Sequence, residues 1–261
     1  NRCAAGFLAG HNAKGPFVRH SGFRGDRLDE AHKFLAMHAP EVAELDLAGK
    51  SGYRTIMRAL GASASQLPLR SMVNRLLARA ELTQEPGLHM GMGLDCYTNC
   101  TSPLRKYVDF LVHLQIKAIL AGGDGSQTAA DDSTLERLRE HLLNARSATG
   151  EAERWLASRY LQRLEQEEPG RSYSGVVAHI NSSGFSVRLT DNGLEGLVDL
   201  RKDPEKFSYD KWTASLTSTT RRFQLEQPVT VLLAGTEADS QHLSLFTLAQ
   251  GCGLKPLKLA K

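Results

Sequence analysis

The stretch from His89 to His113, HMGMGLDCYTNCTSPLRKYVDFLVH, gathers residue types that could handle a phosphodiester. Gly91 and Gly93 let backbone approach a ligand closely, because no Cβ stands in the way. Ser102 and Pro103 make a helix-start pair: a hydroxyl caps free N–H groups and Pro suits the first helical position. The first-turn N–H groups of such a helix carry partial positive charge and suit an anion. Arg105 and Lys106 would sit in that same turn, where cations oppose the helix dipole. An anion in front of them would explain the placement, and Arg can grip phosphate oxygens through two parallel hydrogen bonds. Blander readings stand beside this one. Asp109 follows Arg105 by four residues, so the two can pair within the helix. His113, on a mostly apolar helix, suits a hydrogen-bonded core position. Cys96 and Cys100 with His89 could suggest zinc, but the spacing is loose and a fourth ligand is not evident, so free thiols are the favoured reading.

The flanking periodicity predicts the elements that hold this stretch. Helices are expected over residues 26–37, 52–60 and 67–82, with breaks at Pro40 and Pro86-Gly87. Residues 91–94 read as extended. A helix is expected over residues 103–120, apolar around most of its circumference and therefore buried. Residues 121–132 read as a Gly-, Ala- and Asp-rich surface loop, with Asp131 and Asp132 solvated. Ser133-Thr134-Leu135-Glu136 has the capping-box pattern and opens a long helix to about Glu168, with a break allowed near Thr149-Gly150. Beyond Pro169-Gly170 the period becomes alternating. Five short strands in roughly 75 residues, ending at His242–Leu248, point to a small barrel. The expected fold is α+β: a mainly helical part over 1–169, a five-stranded barrel over 170–249 and a basic tail over 250–261.

Bulk properties narrow the classes. The 261 residues suffice for two ordinary domains, and 41% hydrophobic with 23% charged residues is globular composition, not disorder. No run approaches the roughly 18 apolar residues of a membrane span, and none resembles a signal peptide. Four scattered cysteines suit free thiols in a reducing cytosol. A formal net charge of +3 is too small to argue nucleic-acid binding by itself, so local placement must carry it. The chain begins at Asn1 inside an apparently helical run, which reads as the interior of a longer protein.

The His89–His113 stretch resembles the signature of the ribonuclease II family. It matches at His89, Gly91, Gly93, Leu94, Tyr97, Thr101, Ser102, Pro103, Arg105, Lys106, Tyr107, Asp109 and His113. Arg70-Ser71-Met72 and Asn1-Arg2-Cys3-Ala4-Ala5 also resemble family segments. Met90, Met92 and Leu104 replace other apolar residues, and Leu114 replaces a common basic one. The resemblance implies the C-terminal part of an RNB catalytic domain and 3′→5′ hydrolysis of single-stranded RNA to nucleoside 5′-monophosphates. It assigns Arg105 to the scissile phosphate, and Tyr97, Thr101, Ser102, Lys106 and His89 to RNA and phosphate contacts. It also implies Mg2+ or Mn2+ held by aspartates upstream of this chain, with no metal ligand within it, in a monomeric cytoplasmic enzyme.

The run from Tyr173 to Val198 resembles the OB-fold RNA-binding domain named for ribosomal protein S-one. Such barrels grip single strands by aromatic stacking and a basic groove. Tyr173, Arg188, Arg201 and Lys202 are its candidates here. Phe185 shares a face with Val187 and Leu189 and is read as core. Ser186 stands where relatives carry an aromatic. Lys255, Lys258 and Lys261 either hold RNA backbone or are simply solvated. The rival function is an RNA-binding or regulatory relative that has lost catalysis. A general OB-fold translation factor explains the last third alone.

Overall fold

The computed structural model describes residues 1–65, 67–123, 130–236 and 244–249. Two compact units emerge: residues 1–64 with 69–145, and residues 65–68 with the chain from Arg146 onward. The basic tail, with Lys255, Lys258, Lys261 and Cys252, lies outside the described residues, as do 124–129 of the expected loop.

In the first unit, α1 (Arg2–Gly10) buries Ala5 and Leu8. It is followed by β1 (Phe17–Arg19), α2 (Leu28–His38), α3 (Lys50–Ala62) and α4 (Leu69–Val73). The expected helix over 67–82 is cut short. After α4 and one 3-10 turn the chain extends into β2 (Glu81–Thr83), which pairs antiparallel with β1. Pairing satisfies the backbone of both strands and seats Leu82 with Val18 and Tyr97 in one core cluster, which outweighs a modest local helix preference. The second expected helix is longer than read, because Tyr53, Ile56 and Leu60 extend one buried stripe along α3.

The helix α5 (Tyr107–Leu120) buries Val108, Leu111, Val112 and Ile119. Buried Gln115 anchors it by donating to the carbonyls of Lys14 and Gly15 ahead of β1. It is not buried all round: Tyr107, Phe110 and Leu120 are exposed. The helix α6 (Asp132–Glu167) runs unbroken through Gly150. Its cap is Asp131, not Ser133: the carboxylate accepts from the Thr134 N–H at 2.8 Å and from the Ser133 hydroxyl at 3.1 Å. A carboxylate outcompetes a hydroxyl at a positive helix end. These hydrogen bonds, Thr134's first, hold the Asp131 carboxyl below its ordinary range.

The second unit contains β3 (Ser172–Asn181), β4 (Gly184–Leu189) and β5 (Glu195–Asp199). The short strands β6 (Ser208–Asp210), β7 (Ser215–Thr217) and β8 (Arg222–Gln224) follow, then β9 (Pro228–Thr236) and β10 (Ser244–Leu248). Five strands close into a barrel in the order β10-β5-β4-β3-β9, with β10 and β5 parallel and the other pairs antiparallel. Alternation along β4 sends Phe185, Val187 and Leu189 inward, as read from the sequence. Gly196 is required by packing: a Cβ there would lie 2.4 Å from the Phe246 ring. The three-stranded sheet β6-β7-β8 had no clear alternating signal in so few residues. It contributes Leu216 and Phe223 to the barrel core, and Arg221 reaches Asp203 at 2.5 Å and Glu205 at 3.2 Å on the polypeptide leading into it.

Candidate nucleic-acid interface

The Arg105 segment is not the first turn of a helix. Helix α5 starts at Tyr107, and Lys106 is extended at φ −125°, ψ 111°. Residues 102–106 instead form a turn: the Arg105 and Lys106 N–H groups donate to the Ser102 carbonyl at 3.2 and 3.0 Å. The cause is Asp109. Its Oδ2 accepts from the Ser102 N–H at 2.9 Å, folding the turn back onto the helix start. Asp109 is therefore a brace, 1% exposed, and no Arg105–Asp109 ion pair forms among the described residues. Ser102 does not cap α5; its hydroxyl accepts a long contact from Arg105 Nη2 at 3.5 Å. Thr101, Arg105 and Lys106 are exposed. One guanidinium and one ammonium head thus project from a turn fixed at its base, free to meet an anion.

Asp109→Ala removes the acceptor for the Ser102 N–H. The expected destabilisation is about 1–3 kcal/mol, the usual cost of stranding a buried partner. Urea unfolding would measure it, and an unchanged midpoint would show that the turn does not depend on Asp109.

Behind the turn, a chain of contacts reaches His89. The Asn1 side chain donates to the Tyr97 hydroxyl at 2.7 Å and accepts from the Cys100 N–H at 2.9 Å. His113 Nε2 contacts the Cys100 carbonyl at 2.7 Å, the hydrogen bond expected of it, but the residue is exposed and does not hold the core position read from the apolar helix. Tyr97 is 9% exposed, and its ring meets the His89 ring edge-on at 5.0 Å. It positions the segment; its face is not open for stacking. His89 in turn stacks on His20 at 5.4 Å, a partner that nothing in the sequence signalled, 69 positions away. Residues 90–92 are a 3-10 turn, not extended, and Gly93 is left-handed at φ +66°. The His rings hold that turn: His20 Nδ1 accepts from the Gly91 N–H at 3.2 Å and His89 Nδ1 from the Met92 N–H at 3.2 Å. The extended reading failed because His20, next to β1, adds an acceptor for the Gly91 N–H to the one that His89 supplies locally for Met92.

Burial holds both imidazoles below the ordinary value of 6.5, with each other's charge adding to the effect at His89. The unfolded chain then takes up protons first. Stability is full above about pH 6.5 and is lost as pH falls through it. Protonation also converts the Nδ1 acceptors into donors. The denaturation midpoint is expected to drop between about pH 7 and pH 5, and His20→Gln with His89→Gln should flatten that drop. An equally steep profile in the double variant would place its origin elsewhere.

In the second unit, the four barrel candidates differ. Tyr173 is 6% exposed within the barrel core, with the Arg171 guanidinium over its ring at 5.1 Å, so it offers no open stacking face. Its period-2 position on β3 points inward, a register that turn geometry and pairing with β9 decide. Arg188 lies 4.0 Å from both Glu195 and Glu226. Arg201 pairs with Asp199 at 2.7 Å. Lys202 is exposed.

Among the described residues, no three His, Cys, Asp or Glu side chains gather in a way that could hold a metal ion, and Cys3, Cys96 and Cys100 are free thiols. No described helix is long and apolar enough to cross a membrane.

A mainly helical unit bearing this turn and a closed five-stranded barrel define an α+β protein, and known RNA-degrading hydrolases are similar to it. Residues 1–122 match the RNB domain family. The chain is similar to Exoribonuclease 2 of Erwinia tasmaniensis, at 35% identity over 198 residues, covering 76% of this chain and 30% of that protein. Exoribonuclease 2 of Sodalis glossinidius is 34% identical with the same coverage. In fold it is similar to Mycoplasma genitalium RNase R in complex with ribose-methylated single-stranded RNA. The TM-score is 0.68 at 19% identity, covering 95% of this chain and 40% of that one. Dss1 exoribonuclease of Candida glabrata gives 0.52 at 15% identity, covering 95% and 27%. Residues 1–122 thus belong to the RNB domain family, and the likeness to ribonuclease II exoribonucleases extends over 198 residues. It spans 30% of the length of the curated relatives it matches.

Proposed function

We propose that the protein carrying this chain degrades single-stranded RNA from its 3′ end, processively, releasing nucleoside 5′-monophosphates. This chain supplies RNA and phosphate contacts. The observation that carries the reading is the exposed Arg105 on a turn braced by buried Asp109, with no carboxylate partner among the described residues. A guanidinium so held is available to a phosphoryl oxygen and to the charge that develops on it during cleavage. Lys106 adds a point charge beside it.

The described residues do not make a site for Mg2+ or Mn2+. The reading places the metal-holding aspartates in the part of the relatives' length that this chain does not span. It treats 1–169 as the end of the RNB catalytic domain and 170–249 as an OB-type RNA-binding barrel. Strand order and the single parallel pair support the latter. It further takes the protein to be a cytosolic monomer with RNA as partner.

The test is a degradation assay of the complete protein on single-stranded RNA labelled at its 5′ end, with and without magnesium. The expected result is magnesium-dependent loss of full-length RNA, to mononucleotides and a short end product without a ladder of intermediates. RNA binding without shortening under either condition would leave an RNA-binding relative that has lost catalysis.

A further inference from the structure

We propose that the cleft between α3 and the turn Met90–Gly93 is a second phosphodiester site, which holds the backbone of single-stranded RNA through Arg54, Arg58 and Arg70. The proposal rests on the RNA reading above but uses none of the residues of the Arg105 turn. The cleft has a volume of about 350 Å³, within the usual range of ligand pockets.

Charge is the first argument. Helix α3 carries Lys50, Arg54 and Arg58 and no acidic residue. Lys50 is neutralised by Asp95 at 2.6 Å. Arg54 and Arg58 are not neutralised: four residues apart, they share one helix face, where like charges repel. Arg70 of α4 brings a third guanidinium to the same cleft. None of the three has a carboxylate partner among the described residues. Three like charges converging on a concave surface are an unfavourable arrangement until an anion joins them. Guanidinium is the group best suited to phosphate oxygens.

Shape is the second. The far wall is the turn that His20 and His89 hold, so it is preorganised. Gly93 is left-handed, and a Cβ there would meet nothing within 4 Å, so the turn leaves the mouth open. Met57 and Met92 line the cleft, and Met92 is 54% exposed. Flexible thioether side chains make apolar contact with a sugar or base without selecting one. Arginines for phosphate and methionines for whatever base follows suit a strand bound without regard to sequence. A small dedicated anion would need only the arginines.

The test measures binding of a short 3′-fluorescein single-stranded RNA by anisotropy across a range of salt concentrations, in EDTA so that no turnover is required. Arg54→Ala/Arg58→Ala should reduce the slope of log affinity against log salt by about 1.4, the contribution of two phosphate contacts on a single strand. Arg54→Lys/Arg58→Lys keeps both charges and should keep the slope, which a merely structural role would not. An unchanged slope in the Ala variant overturns the proposal, as does an equal loss in both variants. A parallel titration with AMP separates the sources of phosphate. Arginine-dependent AMP binding beside an unchanged RNA slope would make this a site for free nucleotide instead. The exonuclease reading stands or falls separately, on whether the complete protein shortens RNA.

Discussion

Arg105→Ala in the complete protein is expected to slow RNA cleavage by about 100- to 1,000-fold, the usual effect of removing one preorganised donor to a developing oxyanion. The structure motivates the size. The turn that carries Arg105 is pinned at its base by the Asp109–Ser102 hydrogen bond at 2.9 Å, while the guanidinium itself makes only a 3.5 Å contact. The donor is thus placed but unspent. Arg105→Lys should recover little, because a point charge does not reproduce the two-pronged fork. Single-turnover rates at saturating enzyme isolate the step from binding. A loss within a few-fold would remove Arg105 from the reaction and leave it as a surface cation.

Phe185→Ala is expected to destabilise the barrel by about 3–5 kcal/mol, the range for emptying a buried aromatic position. Phe185 is 0% exposed and packs against Phe223 at 4.8 Å with the rings tilted by 37°, joining β4 to the small β6-β7-β8 sheet. Typical domain stability is only about 5–15 kcal/mol, so a loss of this size consumes much of it. Denaturant titration followed by the near-ultraviolet signal would report it. A shift below about 1 kcal/mol would mean that the site collapses around the missing ring. In the same variant, RNA affinity should fall if the barrel contributes to binding, which makes it a test of the OB-type reading as well.

Local signals were reliable where local chemistry decides. The stripe of Ala31, Phe34 and Leu35 marked α2, and alternation through Phe185, Val187 and Leu189 marked β4 and its inward face. Where a distant partner supplies the energy, local reading failed. The chain leaves the helical path before Glu81–Thr83 because β1 pairs with those residues. The start of α5 moved from Pro103 to Tyr107 because a carboxylate seven positions downstream captures the Ser102 N–H. Tyr173 had the right type for stacking, but strand register turned it into the core.

By itself, the sequence determined the α+β class and the change from helix to strand near Pro169-Gly170, and it offered the residues around Arg105 as candidates. These depend on periodicity, turn residues and residue identity, all short-range properties of the chain. Only the tertiary structure decided that Arg105 stands on a braced turn, that His20 stacks on His89, and that Arg54, Arg58 and Arg70 face one cleft. Each of those requires residues far apart in the chain to meet, and hydrogen bonds, charge and burial act on distance in space rather than along the chain.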